Sequence, residues 1–209
     1  MPTEADFTPE ALAERQYRTA GLPPRVPSLA PEELGPDAMH VMNTARAAIN
    51  LPPLTDPDPY TSMMLRNPGL YQAQMTMGTF LFQGRLPVRL REIAIVRIGW
   101  LSRAPFEFGE HVRMSKRLAG ITDEEIERIL IGSTADGWSF EDRAILKAVE
   151  ECLADACIGD ATWSELTTFL DYAQQLELPL MIGVYMATAF LQNSIRAALL
   201  PGNEGLKMR

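Results

Sequence analysis

Proline is distributed along this chain in a way that leaves few folds open. Eleven of the 16 prolines fall between Pro2 and Pro59, and the other five, Pro68, Pro87, Pro105, Pro179 and Pro201, stand far apart. Proline lacks a backbone donor and its ring clashes with the preceding helical turn, so helices accept it in their first turn and rarely inside. Residues 1–60 are therefore expected to form a proline-rich extension of short helices and extended stretches. Thr8-Pro9-Glu10 reads as a cap with proline at the first helical position, and a second helix is expected from Asp37 to Asn50. Residues 61–209 are expected to form one helical domain.

From Asn67 onward no run alternates with the two-residue period of a strand, and the apolar residues recur at helical spacing. Asn67-Pro68 opens a helix whose apolar stripe is expected through Leu70, Ala73, Met77 and Leu81. Leu86-Pro87 opens the next, to about Leu101, and Pro105 a third, to Leu118, stopped by Gly120. Thr122-x-x-Glu125 and Thr162-x-x-Glu165 both read as capping boxes, and Ser139 as a cap. The last long helix is expected to start near Pro179 and to end before Pro201-Gly202. The fold class that follows is all-α. The eleven methionines, at helical spacing, read as core filling.

Charge narrows the function. The formal net charge is −8, without the basic surface that nucleic-acid binders use to displace phosphate counterions, so no nucleic-acid partner is expected. Glu4 and Asp6 stand where a secretory peptide carries positive charge. The longest apolar stretch, Leu178 to Leu191, is short for the ~20 residues of a membrane span. A soluble, cytoplasmic protein with no membrane partner is expected. Cys152 and Cys157 fit neither a CxxC pair nor a zinc pair and read as reduced thiols. With only His40 and His111 as histidines, a histidine-rich metal site cannot be built, and no metal is expected.

Three residues stand out as candidates for chemistry. Glu92 lies among apolar neighbours one and two turns away, Val88, Ile95, Val96 and Gly99. A buried carboxylate must hold its proton or find a cation, and Arg89, one turn back, is the nearest structural candidate among Arg85, Arg89, Arg91, Arg97 and Arg103. Glu107 and His111 are four residues apart on the following helix and share a face. Glu107 also stands at the third helical position, where a carboxylate is favoured for structural reasons alone. Taken singly, each of the three has a plain structural reading. Together, two carboxylates and an imidazole on consecutive helices make the layout of a general acid–base centre. His40 has no such company and reads as a structural or surface residue.

The ordered segments Asn67-Pro68-Gly69-Leu70, Leu86-Pro87, Arg91-Glu92-Ile93-Ala94-Ile95-Val96-Arg97, Phe106-Glu107-Phe108-Gly109-Glu110-His111 and Gly120-Ile121-Thr122-Asp123-Glu124-Glu125-Ile126 resemble the carboxymuconolactone decarboxylase-like family. Segments around Trp138 and Trp163, and Gly183-Val184-Tyr185, resemble its C-terminal region. The resemblance spans Met63 to Leu200 and implies the alkylhydroperoxidase D-like helical bundle. It implies a cofactor-free carboxy-lyase acting on a small acidic substrate, a carboxylated lactone or related acid. His111 would be proton donor or oxyanion stabiliser, Glu107 would orient it, and Glu92 would tune or relay the proton. It also implies a homo-oligomer. In the thiol-dependent branch of the superfamily, the two cysteines would align with Ala104 and Glu107, and neither can supply the thiolate of redox chemistry. Many relatives carry Tyr-Glu-Trp where this chain has Phe106-Glu107-Phe108, which implies a drier pocket. A thiol peroxidase using Cys152 or Cys157, and a helical binding protein without catalysis, are the competing readings.

Overall fold

The structure, a computed structural model, describes residues 3–48 and 50–209. Ten α-helices occur among them: α1 (Pro9–Gln16), α2 (Pro36–Ala47), α3 (Pro59–Met64), α4 (Pro68–Phe82), α5 (Val88–Leu101), α6 (Pro105–Ala119), α7 (Asp123–Ile131), α8 (Phe140–Asp155), α9 (Asp160–Leu166) and α10 (Tyr172–Ile195). No strand occurs among the described residues, so the all-α expectation holds. Five of the ten helices carry proline in their first turn, which is why proline positions marked so many starts.

The chain divides into two compact units, one of residues 1–22 with 85–209 and one of residues 23–84. The boundary expected at residue 60 coincides with neither edge of these units. In the smaller unit α4 packs on α2 and α3, and Asn43 ties the following loop by exchanging two hydrogen bonds with the backbone of Leu54, at 3.1 and 2.8 Å. Asn67 caps α4 through the Leu70 N–H. The stripe expected on α4 holds only at its C-terminal end: Leu81 is buried and Met77 half-buried, but Leu70 and Ala73 are exposed and Tyr71 is buried instead. This helix is apolar around most of its circumference, so periodicity could not single out one side.

The larger unit carries α5 at its centre. Every residue of α5 from Leu90 to Leu101 is buried, and the helix packs on α6, α7, α8 and α10. The three-residue connection Ser102–Ala104 folds α6 back against α5. Gly99 permits this approach: a Cβ there would lie 2.9 Å from the Phe108 Cα. Gly120, in the left-handed conformation at φ 64°, ends α6 as expected. The capping box at Thr122 and the Ser139 cap are both present.

Two expected boundaries are corrected. Thr162 does not cap a helix, because α9 starts at Asp160 and the buried Thr162 hydroxyl donates instead to Glu151 at 2.6 Å. The last helix starts not at Pro179 but seven residues earlier, where Asp171 and Gln174 form a capping box, and Pro179 lies inside it. A strong cap upstream, and packing of α10 on α5, α6 and α8, outweigh the one backbone bond that proline removes. At 24 residues α10 is long and apolar enough to cross a membrane by length and composition. Its Glu177, however, accepts from the backbone N–H groups of Arg85 and Leu86, at 2.8 and 3.3 Å, as a polar residue of a protein core does.

Candidate active site

Glu92, Glu107 and His111 come together inside the larger unit. Each is buried, with 0%, 5% and 7% of its surface exposed, respectively. Helix α5 supplies Glu92 and α6 supplies the other two, so the short α5–α6 connection and the Gly99 contact set the distance between them. His111 Nδ1 lies 3.0 Å from Glu92 Oε2, and His111 Nε2 lies 3.3 Å from Glu107 Oε1. Both ring nitrogens thus face a carboxylate, an arrangement that suits the doubly protonated imidazolium.

The electrostatics follow from these contacts. Burial alone would push the His111 pKa down, but the contacts to Glu107 and Glu92 prevail and raise it to about 9, from an ordinary 6.5. His111 therefore carries its charge at neutral pH. Burial would raise the Glu92 pKa, and the bond to His111 together with Arg91 holds it below the usual carboxylate value. The cation beside Glu92 is Arg91, whose Nε and Nη2 donate to Oε1 at 3.2 and 3.1 Å. The structural candidate Arg89 turns away, bonding Asp142 at 2.9 Å and Glu125 at 2.6 Å. Its side chain leaves α5 one turn earlier, on the side where α7 and α8 begin.

Most of the remaining arginine cluster is structural. Arg97 donates to the last carbonyls of α7, Ile129, Leu130 and Ile131, and pairs with Glu150 at 2.8 Å. Arg103 pairs with Asp6 at 2.6 Å. Arg91 is thus the arginine that the fold brings to the candidate site.

Two neighbours from α10 escaped sequence reasoning as site residues. Gln192 Nε2 donates to Glu107 Oε2 at 2.7 Å. The Tyr185 ring stands perpendicular to His111 with centroids 5.2 Å apart. Its phenol is pushed well above its ordinary pKa by burial and by the charges of Glu107 and Glu92, and stays neutral. Tyr185 lay within a segment that resembled the family, but nothing local marked it as a partner of a residue 74 positions earlier in the sequence. Phe108, next to Glu107 in sequence, is fully buried and packs on Trp100 with centroids 5.4 Å apart. The chain Arg91–Glu92–His111–Glu107–Gln192 is a single line of polar contacts set among apolar side chains.

His40 is exposed on α2 in the smaller unit. Cys152 is half-buried on α8 and Cys157 is exposed just beyond it, and the two are free thiols. Among the described residues no group of three or more His, Cys, Asp or Glu side chains is arranged to hold a metal ion.

Comparison with known proteins agrees with this architecture. Residues 68–151 match the carboxymuconolactone decarboxylase family, a span that contains Glu92, Glu107 and His111 and ends before Tyr185 and Gln192. No curated protein sequence matches the chain. Among solved structures, the fold is similar to that of a protein of unknown function from Agrobacterium tumefaciens for which an AhpD-type antioxidant defence role is suggested. The two superpose with a TM-score of 0.61 at 16% identity, over 66% of this chain and 94% of the other. Residues 68–151, which carry the candidate centre, are thus similar to the carboxymuconolactone decarboxylase family, and the likeness to the Agrobacterium protein shows a shared helical fold.

Proposed function

We propose that this protein is a cofactor-free lyase of the carboxymuconolactone decarboxylase type, acting on a carboxylated lactone or a related small acid by proton transfer at Glu92, Glu107 and His111. The observation that carries this reading is the buried imidazole with a carboxylate on each ring nitrogen. Such a group stores a proton out of contact with water and holds positive charge where a carbanion or oxyanion would develop.

In the proposed reaction the bond between carbon and the substrate carboxylate breaks and CO₂ leaves. The electron pair passes into the conjugated carbonyl, and the resulting dienolate takes up one proton at carbon. The imidazolium supplies that proton. Glu92 is fully enclosed and also held by Arg91, whereas Glu107 is the looser and slightly more open contact. The proton therefore leaves on the Nε2 side, by way of Glu107, which gives Glu107 a task beyond orienting the ring. Arg91 is the candidate to hold a substrate carboxylate.

Incubating the purified protein with 4-carboxymuconolactone should bleach the lactone absorbance and release CO₂. His111→Gln should lower kcat by about 100-fold or more, the usual contribution of a general acid. A variant as fast as the natural protein would reject the role given to His111.

A thiol peroxidase is the second reading, favoured by the antioxidant role suggested for the Agrobacterium protein. Against it stand Ala104 and Glu107 at the positions where that branch carries its two cysteines. Burial also raises the Cys152 pKa, which disfavours the reactive thiolate. If the protein turns over hydroperoxides and loses that turnover when Cys152 and Cys157 are both changed to Ser, the peroxidase reading replaces the lyase.

A further inference from the structure

The side-chain amide of Gln192 is only half used. Its surface is 3% exposed, and its Nε2 donates to Glu107 Oε2 at 2.7 Å. Its Oε1 is buried and has no hydrogen-bond partner among the described residues. The amide cannot simply be turned over, because an ionised carboxylate only accepts, and the amide must present its N–H to it. A buried acceptor with nothing to accept is costly, and native folds retain few such groups. Here the acceptor is covalently fixed to the group that holds Glu107, at the end of the polar line where the proposed proton leaves. Its nearest charged company comes from α6, through Glu107 and, beyond it, His111. The second acceptor-rich residue, Glu92, is already bonded to Arg91 and His111.

Resting on the lyase reading, we infer that Gln192 reads a hydrogen-bond donor on the ligand, so that the preferred substrate is a small acid bearing a hydroxyl or enol O–H. Gln192 then performs two tasks with one amide. The N–H fixes the Glu107 carboxylate, and Oε1 accepts from the ligand. A ligand without the donor leaves Oε1 unpaired and binds less tightly for that reason, which is how a site built around a hydrogen bond discriminates against an isostere that lacks it. A plain lactone diacid such as 4-carboxymuconolactone has no such donor, so it is turned over less efficiently than a hydroxylated relative, and the inference narrows the preferred substrate class within the proposed chemistry.

The test uses the whole protein and two sets of probes, L-malate against succinate, and 3-hydroxybenzoate against benzoate and 3-fluorobenzoate. Fluorine keeps approximately the size of the hydroxyl and cannot donate. Binding is followed by the NMR signals of the His111 ring. The expected result is that the hydroxylated member of at least one set binds about tenfold or more tightly than its partners, the size of one buried hydrogen bond. In Gln192→Met the affinity ratio between the hydroxylated and unhydroxylated members should fall to about one, whatever loss of affinity the two share. Equal binding of hydroxylated and unhydroxylated acids to the natural protein would overturn the inference and leave the acid-binding reading standing. So would a preference that survives in Gln192→Met. If none of the acids moves the His111 signals, the acid-binding reading itself fails and the inference fails with it. The comparison within the natural protein decides the matter even if the variant does not fold.

Discussion

A carboxylate with no exposed surface survives at position 92 because cations meet both of its oxygens. Arg91 bonds one and His111 the other, and without them desolvation would drive Glu92 to bind a proton. The pair is linked to pH in both directions. His111 has its pKa raised to about 9, so its contribution to stability is complete below its ordinary 6.5 and is lost as pH rises through about 9. Glu92 has its pKa lowered from an ordinary 4.5, so its contribution is complete above that value and is lost as acid protonates it. Urea midpoints measured against pH should decline on both sides of the range 4.5–6.5. In His111→Gln the decline between 6.5 and 9 should be absent; its persistence would mean that another group titrates there. The proposed lyase activity should fall over the same alkaline limb, because the proposed proton donor is the imidazolium.

At the scale of helices, one small residue and one long one determine where the site lies. Gly99 lets α6 approach α5, and a methyl group there would lie against the backbone of Phe108. Gly99→Ala should cost about 1–3 kcal/mol in urea unfolding, the usual cost of overpacking, and should separate Glu92 from His111. A variant of natural stability with an unchanged His111 titration would contradict this. Arg97 closes the C-terminal end of α7 and neutralises Glu150. Arg97→Met should cost about 3 kcal/mol, as for a broken buried pair, whereas Arg113→Met, at an exposed pair, should cost under ~1 kcal/mol. Comparable urea midpoints for the two variants would show that the carbonyl contacts contribute little. Helix starts were legible where proline or a capping residue preceded an apolar run, as at Pro68, Pro105, Thr122 and Ser139. Thr162 and Pro179 misled for one reason: each is a strong local signal inside a helix that begins upstream, at Asp160 and Tyr172.

For the molecule as a whole, α10 leaves an apolar stripe unpaired along its length. Tyr172, Leu176, Leu180 and Phe190 are exposed in the single chain, Leu176 at 75% and Phe190 at 62%. Gly183 and Ala187, also exposed, continue the same face. A homo-oligomer is the proposal that accounts for this face, since soluble chains seldom leave such a stripe in water. Sedimentation should show a species larger than 23.2 kDa, and Leu176→Glu should shift it toward the monomer. A natural protein that sediments as a monomer would refute the proposal.

The sequence by itself determined the helical class, the helix starts marked by proline and caps, and the identity of Glu92, Glu107 and His111 as candidates. Those are properties of spacing along the chain, and spacing is carried by neighbours within a few residues. Only the tertiary structure decided that Arg91 and not Arg89 holds Glu92, that Tyr185 and Gln192 complete the surroundings, and which face of α4 is buried. The physical reason is that pairing of buried charges depends on which helices meet. Glu107 finds Gln192 across 85 residues of sequence, and no local pattern encodes such a distance. His111 is the clearest case: two carboxylates hold its proton, one four residues away and one nineteen, and only the first of these was a matter of helical periodicity.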